Sequence, residues 1–290
     1  RRRTAAADLR IIKSPSMTWK LVEENFPTHH AWDRFLLGSR LGQFQQSCRW
    51  GQVKSAEGWN VGRLLLYDDD VLAAGAQLLW KHSRFGKFAY ISKGPVTGSA
   101  GLPAVQLVID GIQEFARKNG IRALILQAPD YDPSGDRVFE ESGFLRNRVL
   151  EILESTFVCR LDGNFETIFG TYRKVVRNEI RKALKNGVQI EEGTGADLGL
   201  FFDLMSETCR RQQVRPNPGS VDILRKIWDI FGRDMLRLTF ASVRGERIAG
   251  QLCLHFGKRA TIWKKGYNYR HNDFNPTKLL QSESIEWSCL

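Results

Sequence analysis

The sequence predicts a mixed α/β (α+β) chain made of two tandem copies of one domain, the second truncated at its C-terminus. Three observations carry this. A chain of 290 residues, 42% hydrophobic and 26% charged, is long enough for two globular cores. Runs with the two-residue period of a strand alternate with runs of helical period. A strand pair also recurs: VLAAGAQL (71–78) is matched by RIAGQLCL (247–254), and GKFAYISKG (86–94) by GKRATIWKKG (257–266). In that alignment Ala89 and Ile91 fall on Ala260 and Ile262. The expected division is a flexible basic arm at 1–16, a first domain at 17–162 and a second at 163–290.

In chain order, residues 1–16 are basic and broken by Pro and Ser, as in a loose arm. A helical pattern starts near Ala31. A second helix is predicted over Phe44–Glu57, with Phe44, Cys48, Val53 and Trp59 toward a core and Trp50, Gly51 and Lys54 close together around it. Strands follow at 61–67, 71–80 and 86–92, an antiparallel meander that Lys93-Gly94-Pro95-Val96 ends. The loop TGSAGL leads into a helix from Pro103 to Lys118, stopped by Asn119-Gly120. IRALILQ (121–127) reads as a buried strand, SGDRVFEESGF (134–144) as a short helix and LEILESTFVCRL (150–161) as a long strand.

The second copy opens with helix NFETIFGTY (164–172) and then a strongly basic helix, TYRKVVRNEIRKALKNG (171–187). Val175, Val176, Ile180, Ala183 and Leu184 form its apolar stripe, Gly187 stops it, and VQIEEG follows as a strand. Its other side sets Arg173, Lys174, Arg177, Arg181, Lys182 and Lys185 against Glu179. Arg173, Arg177 and Arg181 stack four apart, which destabilises a bare helix by roughly 0.2–0.5 kcal/mol per pair. Taken alone, the stretch fits either a solvated basic face or the wall of an anion site. Helices are predicted at 196–213 and 219–231, and strands at 236–243, 246–256 and 259–267. The last helix has Asn275 as N-cap and Pro276 at its first position.

Charge and cysteine usage narrow the function. Net charge is +11, from 43 Lys and Arg against 32 Asp and Glu. That suits a partner rich in phosphate or carboxylate, such as a nucleotide, RNA or an anionic membrane surface. No apolar run reaches the ~20 residues a spanning helix needs. Nothing after the opening RRRT reads as a signal peptide. Cys48, Cys159, Cys209, Cys253 and Cys289 are scattered without a CxxC, which points to a reducing compartment and away from a disulfide framework or zinc site. The five histidines show no HExxH spacing, so no metal is expected.

Four stretches together resemble the FemABX family of peptidyltransferases. QSCRWGQVKSAEGW (46–59) is similar to the family's Q-S-x-x-W-G-x-x-K motif, and YISKGPV (90–96) to its Y-I-x-x-G-P-V. KVVRNEIRKALKNGVQIEEG (174–193) looks like its R-x-x-I-R-K-A-x-K-x-G-V signature, and FNPTKLLQSESIEW (274–287) like its P-x-x-L-L-x-x-E-x-I-x-W helix. The resemblance implies two tandem GNAT-like acyltransferase domains, in agreement with the repeat. It implies transfer of an amino acid from aminoacyl-tRNA to the stem peptide of a UDP- or lipid-linked peptidoglycan precursor, forming an interpeptide bridge. Aminoacyl-tRNA would be the co-substrate, with no further cofactor and no DNA partner. The setting would be cytoplasmic, at the inner membrane face. Carried over onto matching positions, it implies that Lys54 and either Arg177 or Arg181 contact the precursor diphosphate, with Trp50 and Tyr90 in the same substrate site.

The chain departs from the family at Gln127-Ala128, where an acid before proline is usual; Asp130 or Asp132 could substitute by position. The family's last strands, which would follow EWSCL, are not present, and no heptad-bearing arm lies between 196 and 235. For coenzyme A the expected loop is Q/R-x-x-G-x-G/A; TGSAG (97–101) matches it weakly, and YRHNDFNP (269–276) contains no glycine. Lys264, Lys265 and Tyr267, with Trp263 and Tyr269, offer charge and stacking surface for a tRNA end, or else a meander core. No general base is assignable. Two other readings stay open: an acyl-CoA-dependent GNAT-type N-acyltransferase of envelope or polysaccharide modification, and a non-catalytic basic module for RNA or membrane surfaces.

Overall fold

The computed structural model describes residues 9–14, 17–130, 135–146 and 156–290. The chain divides into two units, Arg1–Glu154 and Ser155–Leu290.

The first unit runs β1 (Leu9–Ser14), β2 (Met17–Glu24), α1 (His30–Gly38), α2 (Cys48–Ala56), β3 (Asn60–Asp68), β4 (Val71–Ser83), β5 (Gly86–Ser92), β6 (Val96–Thr97), α3 (Gly101–Lys118), β7 (Ile121–Gln127) and α4 (Gly135–Glu141). Its sheet has the order β1-β2-β3-β4-β5-β7, with β6 beside β4. All pairs are antiparallel except β5 with β7. The crossover through α3 is what a parallel neighbour requires. Small residues explain how both faces are covered. Ala74 and Ala76 leave room on one face for Ala104, Val108, Ile112 and Phe115 of α3. On the other face a Cβ at Gly75 would stand 2.9 Å from Trp32 Cζ3, so glycine lets the α1 indole lie on the sheet.

The second unit runs α5 (Phe165–Thr171), α6 (Lys174–Lys185), β8 (Gln189–Glu192), α7 (Leu198–Arg211), α8 (Val221–Phe231), β9 (Leu236–Val243), β10 (Glu246–Phe256), β11 (Arg259–Tyr267) and α9 (Pro276–Ser288). Its antiparallel sheet has the order β11-β10-β9-β8. Ile180 and Ala183 of α6 and Leu279 and Leu280 of α9 pack on Ala241 and Ala249. On the opposite face, a Cβ at Gly266 would stand 2.2 Å from Met205 N, so α7 sits directly on the β11 backbone.

The repeat is present, with its register one residue earlier than the sequence match suggested. Asp69 (φ 51°) and Arg244 (φ 53°) hold equivalent positions in the turns before β4 and β10. Counting from them, Gly75 falls on Gly250, whose Cβ would stand 2.9 Å from Phe201 of α7. Turn geometry sets strand register, and similarity among small residues does not.

Other expectations change. Residues 9–14, inside the expected arm, pair with β2 as a strand. The helix expected over 44–57 splits into a 3-10 turn at Phe44–Gln46 and α2, because Ser47 caps the latter. β7 is an edge strand and only half-buried, with Arg122 and Ala123 exposed. Of the strand expected at 150–161, residues 150–155 lie outside the described residues. Residues 156–161 form no strand, and Phe157 and Val158 are exposed. On α6, Ile180 and Ala183 are buried while Val175 and Leu184 face solvent, so the apolar stripe is narrower than its pattern. Gly187 (φ 78°) ends α6 as expected, with Val188 N–H donating back to Ala183 O at 3.1 Å. Asn275 precedes α9 in a left-handed conformation, and its side chain makes no capping bond.

Candidate functional site

The motif residues of the first unit begin as scaffold. β4 and β5 stay paired as far as Leu79 and Tyr90; two residues on, Gln77 and Ser92 lie beyond the paired register. The fully buried Gln46 fills that gap. Its Oε1 accepts from Gln77 N (2.6 Å) and its Nε2 donates to Ser92 O (2.7 Å). Gly94 is glycine because a Cβ there would stand 2.9 Å from Gln46 Nε2, so the first two motifs meet physically. Ser47 caps α2 by accepting from Trp50 N (3.2 Å), and its own carbonyl accepts from Gln77 Nε2 (2.9 Å). Gly51 makes room for the same glutamine, whose Oε1 would lie 2.8 Å from a Cβ. That oxygen accepts from Nη2 of buried Arg63 (2.8 Å), whose Nη1 donates to Phe26 O (2.6 Å). Burial pulls the Arg63 pKa down and pushes the neighbouring Cys48 thiol up to about 11, so Cys48 is no thiolate nucleophile.

Gln77 bonds the carbonyl before α2, Leu79 lies on the same side of β4, and Tyr90 is its direct partner. Tyr90 therefore shares the α2 face of the sheet. Its hydroxyl donates to Gln127 Oε1 (2.9 Å) and lies 3.2 Å from Ser92 Oγ, which is 3.1 Å from the same amide oxygen. Burial raises the Tyr90 pKa, so it stays a protonated donor. Beside it, Lys93 (φ 57°) pairs with Asp130 at 2.5 Å. With its amide turned to suit both groups, Gln43 donates to Asp130 Oδ2 (2.9 Å) and accepts from Asp130 N (2.8 Å). This polar cluster stands at the carboxyl ends of the parallel pair β5 and β7, where open α/β sheets place their ligands. Of the two acids that could substitute by position, Asp130 is the one paired with Lys93; Asp132 lies outside the described residues.

On α2, Trp50 meets Phe44 edge to face (5.3 Å), and the Lys54 ammonium lies 4.9 Å from the Trp50 ring. Lys54 also pairs with Glu57 at 2.8 Å. An anion at Lys54 would share or displace that carboxylate.

In the second unit the two arginines separate. Arg177 donates to Gly170 O, closing the C-terminus of α5. Arg181 is exposed, its guanidinium 5.9 Å from the Phe169 ring. No side chain caps the first turn of α6, and Lys174 there adds to the positive end of the helix. Lys278 of α9 holds Glu179 at 2.6 Å.

Lys264, Lys265 and Tyr267 are only partly brought together. Neighbours in a strand point to opposite faces, so Lys265 and Tyr267 share one and Lys264 takes the other. Lys264 lies over Trp263 (5.1 Å). Tyr267 and exposed Tyr269 both stack with Arg211, at 4.4 and 5.0 Å. Arg211 was invisible to motif reading, since its tyrosines come from a strand and a loop some sixty residues away. Among the described residues no group of three His, Cys, Asp or Glu side chains is placed to hold a metal. No helix among them is long and apolar enough to cross a membrane. The TGSAG loop borders an open depression between Gly38–Leu41 and Thr97–Ser99, just before α3.

With this geometry in place, similarities to known proteins can be set beside it. Residues 28–132 match the FemAB family and residues 170–290 the acetyltransferase (GNAT) domain. The chain is 24% identical over 278 residues to the UDP-N-acetylmuramoylpentapeptide-lysine N(6)-alanyltransferase of Weissella viridescens, covering 89% of this chain and 79% of that one. It is 25% identical over 203 residues to the lipid II:glycine glycyltransferase of Staphylococcus aureus (strain MRSA252), covering 66% of this chain. It spans about half the length of that relative, 48%. Among solved structures, the crystal structure of FemX has the same fold at a TM-score of 0.76 and 17% identity, over 92% of this chain and 85% of that one.

Proposed function

We propose that the chain is a FemAB-type aminoacyltransferase of peptidoglycan bridge formation, a reading that starts from the FemAB match at residues 28–132 and the acetyltransferase (GNAT) match at 170–290. The donor is an aminoacyl-tRNA, and the acceptor is the stem-peptide amine of a lipid- or UDP-linked precursor. One observation carries the reading: similarity to the Weissella viridescens alanyltransferase runs through both units rather than one.

The chemistry asks little of side chains. The acceptor amine attacks the ester carbonyl, the bond to the tRNA ribose oxygen breaks, and the amine proton ends on that oxygen. The ester is already activated, so holding amine and carbonyl together can supply roughly 7–11 kcal/mol. The Tyr90–Ser92–Gln127 cluster offers neutral hydrogen-bonding groups for peptide amides, and Lys54 in the first unit and Arg181 in the second are each a cation suited to phosphate. The Arg211–Tyr267–Tyr269 stack, with Lys265, suits a nucleotide base and its phosphate. A lipid-linked acceptor would place the enzyme at the inner membrane face.

The test is mass spectrometry of the acceptor after incubation with the full-length protein and mixed aminoacyl-tRNAs. The expected product is heavier by one amino-acid residue; no transfer, together with no binding of either substrate at low salt, would refute the proposal. The second reading, an acyl-CoA-dependent N-acyltransferase, draws on the GNAT match at 170–290 and the Gly/Ser loop before α3. Acetyl-CoA binding by calorimetry would favour it.

A further inference from the structure

The hairpin joining β4 and β5 ends in an apolar side chain that the fold does not use. Ser83 pairs with Gly86, leaving Arg84 and Phe85 as the tip. Turn positions favour Gly, Asn and Asp. Here Phe85 is 72% exposed, with the Arg84 guanidinium 4.6 Å from its ring centroid. The tip is well held. Ser83 Oγ donates to Gly86 O (2.8 Å) and accepts from Phe85 N (3.2 Å), and Gly86 turns the chain at φ 112°. The missing Gly86 Cβ leaves space for the Arg122 stem, 2.7 Å from where it would be. Lys87 donates to Asn119 O at 2.8 Å, tying the tip to the last turn of α3.

Residues 80–88 and 117–123 therefore share one end of the sheet. They contain Lys81, Arg84, Lys87, Arg117, Lys118 and Arg122 and no Asp or Glu. Arg84, Arg117, Lys118 and Arg122 are exposed.

We propose that this end of the first sheet docks on an anionic lipid bilayer, with Phe85 entering the headgroup layer and the surrounding cations facing lipid phosphates. An exposed aromatic at a hairpin tip, with a cation on its ring and further exposed cations at the same end of the sheet, matches a planar anionic surface with an apolar interior. Single-stranded nucleic acid is instead held in basic grooves that track its backbone, and a protruding hairpin offers none. The surface gives the lipid-linked acceptor reading a docking site, and rests on that reading for its purpose. Tyr90 and Ser92 lie along β5 from the tip, about 20 Å away at the rise of a strand. A peptide separated from its lipid diphosphate by a sugar would need such a distance.

The experiment is co-sedimentation of the full chain with vesicles of phosphatidylcholine alone or mixed with phosphatidylglycerol. Binding is expected to the mixed vesicles and to weaken with salt. Phe85→Ser should lower partitioning about tenfold, Phe85→Trp should restore it, and Arg84→Glu with Arg122→Glu should abolish it. All three variants should melt with wild type and transfer to a soluble UDP-linked acceptor unchanged. Wild-type partitioning by Phe85→Ser overturns the proposal. So does a loss of tRNA affinity in that variant with vesicle binding intact, which would assign the tip to RNA. Vesicle binding of this pattern without transfer to any acceptor would sink the functional reading and leave the docking surface standing.

Discussion

Where β4 and β5 part in the first unit, Gln46 enters from outside the sheet and bridges Gln77 N to Ser92 O. Where β10 and β11 run in the second unit, the ladder continues through one bulge at Leu252 and Cys253. There the buried amide is Gln251, which hangs on α9 by donating to Ser284 Oγ (2.6 Å). The arginines differ in the same way. Arg63 is buried against neutral oxygens, whereas Arg237 and Arg247 sit nearer the rim with two carboxylates each. One meander is thus fixed by two polar devices, and the first is built from the Q-S-x-x-W-G motif. Motif residues there include supports as well as candidate contacts.

The largest expected effect is at the shared support. Gln77→Leu leaves the Arg63 charge without its side-chain acceptor and should cost about 3–5 kcal/mol in urea unfolding of the first unit. A loss below about 1 kcal/mol would break the contrast. Gln46→Leu strands one backbone donor and one acceptor and should cost about 2–4 kcal/mol. Its counterpart Gln251→Leu should cost about 1 kcal/mol or less, because it also removes an Oε1 that has no partner among the described residues.

Acid should strike the second unit selectively. Glu191 is held below its ordinary 4.5, first by Ser242 and then by Arg247. Asp197 is held below 3.8, first by the Thr194 backbone and also by Arg247. Groups with depressed folded-state values stabilise above their unfolded values, and that stability is lost as pH falls through the folded ones. Thermal melts should therefore drop below about pH 4.5, and Arg247→Met should flatten that dependence; equal slopes would refute the assignment.

The smallest effect separates the α6 arginines. Arg177→Ala should lose about 1 kcal/mol with its bond to Gly170 O. Arg181→Ala should leave stability unchanged and weaken precursor binding. Lost affinity in Arg177→Ala alone would reverse the two roles.

Much of this was legible in the sequence, for reasons particular residues show. β9, β10 and β11 match their expected spans because Arg244-Gly245 and Gly257-Lys258 mark both turns. The second meander was plain, but its register against the first was not, since positive φ at Asp69 and Arg244 carries no residue signature. Val175 and Leu184 fit the α6 stripe by spacing, yet the packing partners reach only Ile180 and Ala183. Trp50, Lys54 and Tyr90 were named through motifs. Their support network was not, because Gln77, Ser92 and Gln127 lie on three different strands and Gln46 reaches them from the turn before α2. The available signal was Arg63 and Gln77, each a polar residue inside an apolar strand run.

The central claim is tested most directly by offering both donors at once. The full-length protein is incubated with aminoacyl-tRNA, acetyl-CoA and the lipid- or UDP-linked pentapeptide precursor, and the precursor is weighed by mass spectrometry. The account predicts a gain of one amino-acid residue on the stem peptide that ribonuclease treatment of the donor abolishes. A gain of an acetyl group, insensitive to ribonuclease, would contradict it.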